Sequence, residues 1–265
     1  MSARLPVRKT YKLFVGGAFP RSESGRTLEV EGYNVARASR KDVREAVVAA
    51  RKAVAGWSGA TAYNRGQVLY RLAETMETRA ASLAAASGGR REVARAIDRV
   101  VWYAGWADKL AQVLGSSNPV AGPYFNFTLP EPTGVVALVA PDEPALDGLV
   151  ARLAPAIVGG NAVVAIASET HPLAAIELAE AVATSDVPPG VVNVLTGVRA
   201  ELAPVLAGHM DVNAIDVTGA DGDAAALEVL AAENVKRVVR AKEEQSPWEI
   251  ASFMELKTVW HPIGR

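Results

Sequence analysis

The chain has 265 residues, of which half are apolar and 22% are charged; none is cysteine, and the formal net charge is −1. This composition is typical of a globular protein with a full core, and the balanced charge argues against a nucleic-acid footprint or a polybasic membrane surface. No apolar run approaches the roughly 20 residues that span a bilayer, and the first residues lack the apolar stretch of a secretory signal. Because a disulfide framework is excluded, we expect a cytoplasmic protein.

Helical periodicity extends over residues 39–115. The first predicted helix begins after Ser39, which forms a capping box with Asp42 three residues later. Two further helical stretches, 63–86 and 91–114, are separated by a pair of glycines. The sequence therefore predicts a helical N-terminal region.

After residue 134 short β-branched runs alternate with helical stretches. This alternation predicts parallel strands with crossover helices, a doubly wound Rossmann-like α/β sheet preceded by the N-terminal helices. The predicted strands lie within 134–140, 161–167, 191–197, 212–219 and 235–241, and the predicted helices near 144–157, 172–185, 199–208 and 222–232.

Two β-rich segments, 121–133 and 248–265, do not belong to that alternation. The second has no element after it, and an apolar strand in that position is an exposed edge unless another chain covers it. We therefore expect both segments to form a protruding β arm. The residues predicted to contact another chain are Phe253, Met254, Leu256, Val259 and Trp260.

Six short segments carry a family pattern: YAGWADK (103–109), PTGVVALVAP (132–141), PPGVVNVLTG (188–197), VTGAD (217–221), ENVKRV (233–238) and ELKTVW (255–260). In this order they resemble the aldehyde dehydrogenase superfamily over nearly the whole chain. The resemblance implies a dinucleotide-binding-like domain and an oligomerisation arm. The domain would comprise 1–120 and 134–247, and the arm 121–133 and 248–265.

The resemblance also implies that the catalytic domain is absent, because the arm strand follows the cofactor-type domain directly at residues 247–248. The family's chemistry uses a cysteine thiolate to capture the aldehyde, and this chain has no cysteine. Its general-base glutamate corresponds to Ala241. Its oxyanion-hole asparagine corresponds to Glu143 or a neighbour, and a carboxylate cannot donate to an oxyanion. No catalytic residue is therefore expected. The pattern resembles the truncated, non-catalytic copy found in the C-terminal half of family-sixteen aldehyde dehydrogenases.

The cofactor positions are only partly retained. A lysine that contacts the ribose corresponds to Ile166, the ribose-binding glutamate to Glu169, and the phosphate turn to Thr218 and Gly219. Glu169 is equally well explained as a solvated charge near a helix start, and Gly219 as part of a strand-to-helix turn. Acidic residues follow that turn at 221 and 223; a like charge about 5 Å from a phosphate costs roughly 3 kcal/mol at an effective dielectric near 20. That cost exceeds the roughly 0.3–1 kcal/mol of a helix dipole.

These features favour a catalytically inactive aldehyde dehydrogenase-like subunit. We expect its partner to be a full-length aldehyde dehydrogenase, or in second place another copy in a homodimer, with neither nucleic acid nor membrane involved. We expect no tightly bound cofactor, although NAD is possible, and the alternative is a non-catalytic NAD(H)- or nucleotide-binding sensor. The three histidines, His171, His209 and His261, lack the spacing of a metal site, so no metal is expected.

Overall fold

The computed structural model describes residues 8–240 and 245–264. It begins with a small sheet of strands β1 (Thr10–Tyr11), β2 (Thr27–Val30) and β3 (Tyr33–Ala36), in the order β1-β3-β2. This sheet was not predicted from the sequence. A signal was present, because β2 and β3 are joined by only Glu31 and Gly32, both with positive φ (53° and 79°). Such a two-residue loop is a common hairpin connection.

Five helices follow within the region predicted to be helical. Ser39 accepts a hydrogen bond from the Asp42 N–H, while the Asp42 carboxylate accepts from the Ser39 N–H at 2.7 Å, so the capping box is confirmed. The helices are α1 (Arg40–Gly59), α2 (Ala62–Thr78), α3 (Ala80–Ala86), α4 (Arg90–Ala104) and α5 (Leu110–Leu114).

The centre of the molecule is a five-stranded parallel sheet flanked by helices, as the alternating pattern predicted. Its strands are β6 (Val135–Val139), β7 (Ala162–Ile166), β8 (Val192–Leu195), β9 (Ala214–Asp216) and β10 (Arg237–Val239), in the order β10-β9-β6-β7-β8. The intervening helices are α6 (Ala145–Val158), α7 (Pro172–Ala183), α8 (Arg199–Ala207) and α9 (Ala224–Ala232).

Successive residues of each strand point to opposite faces of the sheet, and both faces are buried. Val136 and Leu138 of β6 pack with α2, α4, α6 and α7, whereas Val135 and Val139 pack with α1, α8 and α9. The chain runs from β6 to β7 on one side and later returns to β9 on the other. The change of direction between β6 and β9 is the position at which open α/β sheets bind ligands.

The arm is an antiparallel sheet of strands β4 (Ser116–Asn118), β5 (Tyr124–Pro132) and β11 (Met254–Pro262), in the order β11-β5-β4. Helix α10 (Pro247–Ala251) precedes β11. Phe253 and Met254 are only 0% and 5% exposed, because they pack inside this chain's own core. They are therefore not available at a surface, which narrows the predicted contact residues to Leu256, Val259 and Trp260, exposed by 59%, 39% and 58%.

Candidate functional site

The loops at the carboxyl edge of the central sheet meet around one guanidinium group. Arg199, the first residue of α8, donates from Nη2 to Asp142 Oδ1 at 2.9 Å and to the Ala140 carbonyl at 3.2 Å. Its Nη1 donates to Asp221 Oδ2 at 3.2 Å. Arg199 is only 9% exposed, so it ties the loop after β6 to the turn after β9 across the crevice.

Asp142 is the central acceptor of this cluster. In addition to Arg199, it accepts from the Ser168 hydroxyl at 3.1 Å and from the Glu169 N–H at 2.8 Å. Burial opposes ionisation of this carboxyl, but the hydrogen bond from Glu169 and the charge of Arg199 outweigh it, so its pKa lies below the ordinary value. Asp142 is therefore ionised at neutral pH, and its charge is compensated within the chain.

Glu169 has a partner in the structure that could not be foreseen from the sequence. Its carboxylate accepts a hydrogen bond from the Arg199 N–H at the start of α8. This contact satisfies one of the N–H groups that a helix leaves free at its N-terminus, and it places a negative charge at the positive end of the helix dipole. Glu169 therefore caps a helix of its own chain, a role that the sequence did not indicate.

The N-terminus of α6 also holds a carboxylate from the chain itself. Glu92, a buried residue of α4, accepts from the N–H groups of Leu146 and Asp147 at 2.7 and 3.0 Å. The helix that follows the first strand of such a sheet is where a dinucleotide phosphate would approach. Here that anion position is filled internally. No sequence motif identified Glu92, because its partners lie more than 50 residues along the chain.

The turn after β9, residues 218–223, uses its own N–H groups in the same way. The Thr218 N–H donates to Asp216 Oδ1 at 2.8 Å, and the Ala220 N–H donates to the Val217 carbonyl at 3.0 Å. Gly219 lies against the loop after β6, and a Cβ at this position would be 2.4 Å from the Ala140 carbonyl carbon. The turn therefore packs directly on the backbone of the loop after β6.

The role expected for Asp221 requires a correction. This residue was expected to repel a phosphate as an uncompensated charge, but it forms an ion pair with Arg199. Asp223 remains exposed to solvent, where its charge is screened. The charge of Asp221 is therefore compensated within the chain, by the same guanidinium group that holds Asp142. Ile166 has no polar side-chain group and is fully buried in the apolar core, so its side chain cannot contact a ligand.

Two cavities border this edge. A small one of about 220 Å³ lies between α8 and α9, below the roughly 300–1,000 Å³ of most ligand pockets. A larger one of about 620 Å³ lies between the N-terminal sheet, α3 and the loop after β6. On its wall, His171 Nδ1 is 2.8 Å from Glu31 and Nε2 is 3.3 Å from Glu143. The hydrogen bond to Glu31, and then that to Glu143, raise the pKa of His171 above its ordinary value.

Two positions that the resemblance assigns to catalysis, Glu143 and Ala241, differ in what the structure says of them. Glu143 is an exposed acceptor directed at His171, so it cannot serve as an oxyanion donor. Ala241 lies outside the described residues. Within 8–240 and 245–264, no cluster of three His, Asp or Glu side chains could hold a metal ion. In the same part of the chain, no helix is long and apolar enough to cross a membrane.

The sequence is similar to that of known proteins over most of its length. The model described as "Aldehyde dehydrogenase family" matches residues 27–261. Among similar sequences, "Aldehyde dehydrogenase, cytosolic 1" of Elephantulus edwardii is 32% identical, covering 89% of this chain and 51% of its own length. "Retinal dehydrogenase 2" of Mus musculus is also 32% identical, covering 90% of this chain and 50% of its own length.

Solved structures give the same relation. The NAD⁺ complex of aldehyde dehydrogenase from Bacillus cereus superposes with a TM-score of 0.80 at 25% identity, over 87% of this chain and 50% of the other. A putative aldehyde dehydrogenase from Burkholderia cenocepacia gives a TM-score of 0.81 at 31% identity, over 86% and 50%. The chain thus spans about half the length of the curated relatives it matches.

Proposed function

This chain belongs to the aldehyde dehydrogenase family, and we propose that it is a catalytically inactive member of it, a subunit that assembles with a complete aldehyde dehydrogenase. One observation carries the proposal: a chain that matches the family over residues 27–261 contains no cysteine. The thiolate that would capture an aldehyde is therefore missing from it. The fold that remains is a cofactor-type sheet and an arm, the parts implied by the likeness to the truncated copy in family-sixteen proteins.

The arm offers an apolar surface suited to such a partner. Residues directly opposite each other in an antiparallel pair lie on the same face, and the register of β5 with β11 pairs Phe127 with Val259 and Leu129 with Lys257. One face of the arm therefore carries an apolar stripe, which we call the arm stripe: Phe125, Phe127, Leu129, Val259 and Ile263. All except Phe127 are exposed. Burial of each stabilises an interface by roughly 1.5–3 kcal/mol, less the ordering cost of association.

We predict that this chain co-elutes with a complete aldehyde dehydrogenase of the same organism, and that the double variant Phe125→Ser, Leu129→Ser loses at least about tenfold in affinity. The reason is that both side chains lie in the arm stripe, where a change of about 1.4 kcal/mol is a factor of ten. Size-exclusion chromatography with light scattering shows the complex, and titration calorimetry gives the affinity.

The matched control is Val48→Ser, Val229→Ser, two exposed apolar residues on α1 and α9, outside the arm. This control should bind like the unchanged chain. If both double variants bind equally well, the arm stripe is not the contact surface. If the unchanged chain ignores every complete dehydrogenase of the organism, the subunit role is wrong.

We expect this chain to bind NAD and NADH weakly, because carboxylates of the chain itself occupy the N–H groups at the crevice. Glu92, Glu169 and Asp216 already accept from the N–H groups that would face a dinucleotide phosphate. We therefore predict a dissociation constant for NAD and NADH weaker than about 100 μM, corresponding to less than about 5.5 kcal/mol of binding free energy. Calorimetry at moderate salt measures it, with a complete dehydrogenase as the positive control. A low-micromolar constant would contradict this prediction.

A second candidate, a nucleotide-binding sensor without catalysis, is favoured by the small cleft between α8 and α9. That cleft is lined by apolar side chains such as Ala203, Leu227 and Leu230, next to Arg199. Low-micromolar nucleotide binding together with failure to bind any dehydrogenase would favour the sensor. For either function we propose a cytoplasmic location, the compartment in the printed name of the Elephantulus relative.

A further inference from the structure

The hairpin of β2 and β3 forms one wall of the cavity of about 620 Å³, and it is attached to the body of the protein at two separate places. At its base, the Thr196 hydroxyl donates to the Ala36 carbonyl at 2.6 Å, and the Ala38 N–H donates to the Thr196 carbonyl at 2.8 Å. At its tip, the Glu31 carboxylate lies 2.8 Å from His171 Nδ1. We infer that this hairpin is a flap over the cavity, and that His171 is a pH-sensitive clasp that holds the tip of the flap while the imidazole is protonated.

The geometry of His171, the residue before α7, requires the protonated ring. Its Nδ1 faces the Glu31 carboxylate, and its Nε2 lies 3.3 Å from a carboxylate oxygen of Glu143. An ionised carboxylate only accepts hydrogen bonds, and a neutral imidazole carries one N–H, so both contacts are hydrogen bonds only when both ring nitrogens donate. The cation therefore bridges the flap and the loop after β6. When the ring loses a proton, one nitrogen presents a lone pair to a carboxylate, and that contact becomes repulsive.

The residue at the tip of the flap is unusual for its backbone conformation. Glu31 and Gly32 form the two-residue loop of the hairpin, and Glu31 has a φ of 53°. Asparagine and glycine suit such a turn best, whereas a glutamate with positive φ is uncommon. Uncommon backbone conformations concentrate where a residue has a function. Here the side chain at that position is the one that reaches His171.

The other ionisable groups around the cavity are already committed or uncharged. Glu92 is bonded to the N–H groups at the start of α6, and Glu177 forms an ion pair with the arginine that follows α2. Helix α3 contributes only alanine and serine side chains. The rings of Tyr11 and Tyr33 lie 5.7 Å apart, and phenols are uncharged near neutral pH. Among the described residues that line the cavity, His171 is therefore the one whose charge changes near neutral pH.

The direction of the pH effect follows from the two carboxylates of the clasp. The hydrogen bond to Glu31 is the main cause that raises the pKa of His171, burial opposes it, and the contact with Glu143 adds to it. A group with a raised pKa in the folded state stabilises that state below its ordinary value, here about 6.5, and loses this effect as the pH rises through the raised value. The flap should therefore be closed in mildly acidic solution and open more often in mildly alkaline solution.

Thiol labelling measures this opening, because an introduced cysteine is the only one in the chain. Ala145 lines the cavity and is only 6% exposed, so Ala145→Cys reports on access to the cavity. At about pH 6 it should be labelled about two- to fivefold faster with His171→Ala than with the clasp intact, the range expected for an exposed ion pair. At about pH 8 the two rates should be equal, since the clasp is then open. Comparison of the two backgrounds at one pH removes the ionisation of the thiol itself.

The variant Glu31→Asn separates the clasp from the folding of the hairpin. It creates an Asn-Gly loop, a preferred pair for this turn, but removes a carboxylate from His171. The NMR titration midpoint of His171 should fall in this variant, and should fall by less in Glu143→Gln, with an unchanged circular dichroism spectrum. His209, whose pKa is lowered by burial, is the internal control and should keep its midpoint in both variants.

Three results would overturn the clasp or the flap. An unchanged His171 midpoint in Glu31→Asn, or equal labelling of the two Ala145→Cys backgrounds at both pH values, would reject the clasp. The matched control for the flap is Ala156→Cys, which lies on the same helix but is fully buried in the core. If its labelling rises with pH in step with that of Ala145→Cys, the whole domain opens and the flap is rejected. None of these measurements requires a partner dehydrogenase.

Discussion

A protein of this sequence should form no NADH from any aldehyde, and this is the largest effect we expect. Loss of a covalent nucleophile costs an enzyme about 10⁶ in kcat, and loss of one oxyanion donor costs roughly 10²–10³. Here the chain has no cysteine, and Glu143, at or near the position that the resemblance gives to the oxyanion donor, is an acceptor directed at His171. The measurement is the absorbance of reduced nicotinamide with short, long and aromatic aldehydes.

The control is a complete aldehyde dehydrogenase assayed in the same buffer, alone and with an excess of this chain. The dehydrogenase must turn over in both assays, whereas this chain alone must not. Turnover by this chain that survives repurification and treatment with a thiol-blocking reagent would show a chemistry independent of cysteine. That result would reject the inactive-subunit proposal.

The Gly219→Ala variant should lose about 2–4 kcal/mol of unfolding free energy. Overpacking typically costs roughly 1–3 kcal/mol, and more where the surrounding atoms cannot move. The added Cβ would stand 2.4 Å from the Ala140 carbonyl carbon and from the Pro141 nitrogen, which are backbone atoms that cannot rotate away. For a chain of this size we expect the midpoint of thermal unfolding to fall by roughly 5–15 °C. Differential scanning calorimetry measures both quantities.

Gly222 provides the matched control within the same turn. A Cβ added there meets no atom within 4 Å, so Gly222→Ala should change the unfolding free energy by less than about 1 kcal/mol. If the two variants have the same stability, the loop after β6 moves away from the turn, and the closed crevice is not rigid. A crevice that opens in this way would also leave more room for NAD.

The central sheet could be predicted from the sequence because its signals are local. A buried parallel strand is a short continuous apolar run, and residues 134–140 and 161–167 are such runs, each bounded by turn residues. The capping box at Ser39 is equally local. The N-terminal hairpin was missed because its strands are short and half exposed, and a Glu-Gly pair is a weaker turn signal than Asn-Gly.

The candidate site could be located but not described from the sequence. The pattern placed Glu169 and Gly219 at the carboxyl edge of the sheet, where the structure has them. It could not show that the Glu169 carboxylate accepts from Arg199, 30 residues later, or that Glu92 reaches the N-terminus of α6 from 54 residues earlier. These contacts depend on how the elements pack, and pairings of that length leave no periodic signal in a single sequence.

The sequence pattern also could not show which residues near the end of the chain are buried. An alternation of apolar residues shows which side chains share a face, but it does not show where the chain leaves the body of the molecule. Phe253 and Met254 fall just inside that point and Leu256 just outside it, so residues that look alike in sequence have different surroundings.

Substitutions before and after the point where the last strand leaves the core should differ in their effect on folding. Up to Met254, a substitution that changes volume disturbs a closed core, and selection for folding restricts it. From Leu256 to Gly264 the side chains are exposed, so the same substitution there leaves the core packing undisturbed. The exposed part of the last strand can therefore vary in sequence at little cost in folding stability, whereas the buried Phe253 and Met254 cannot.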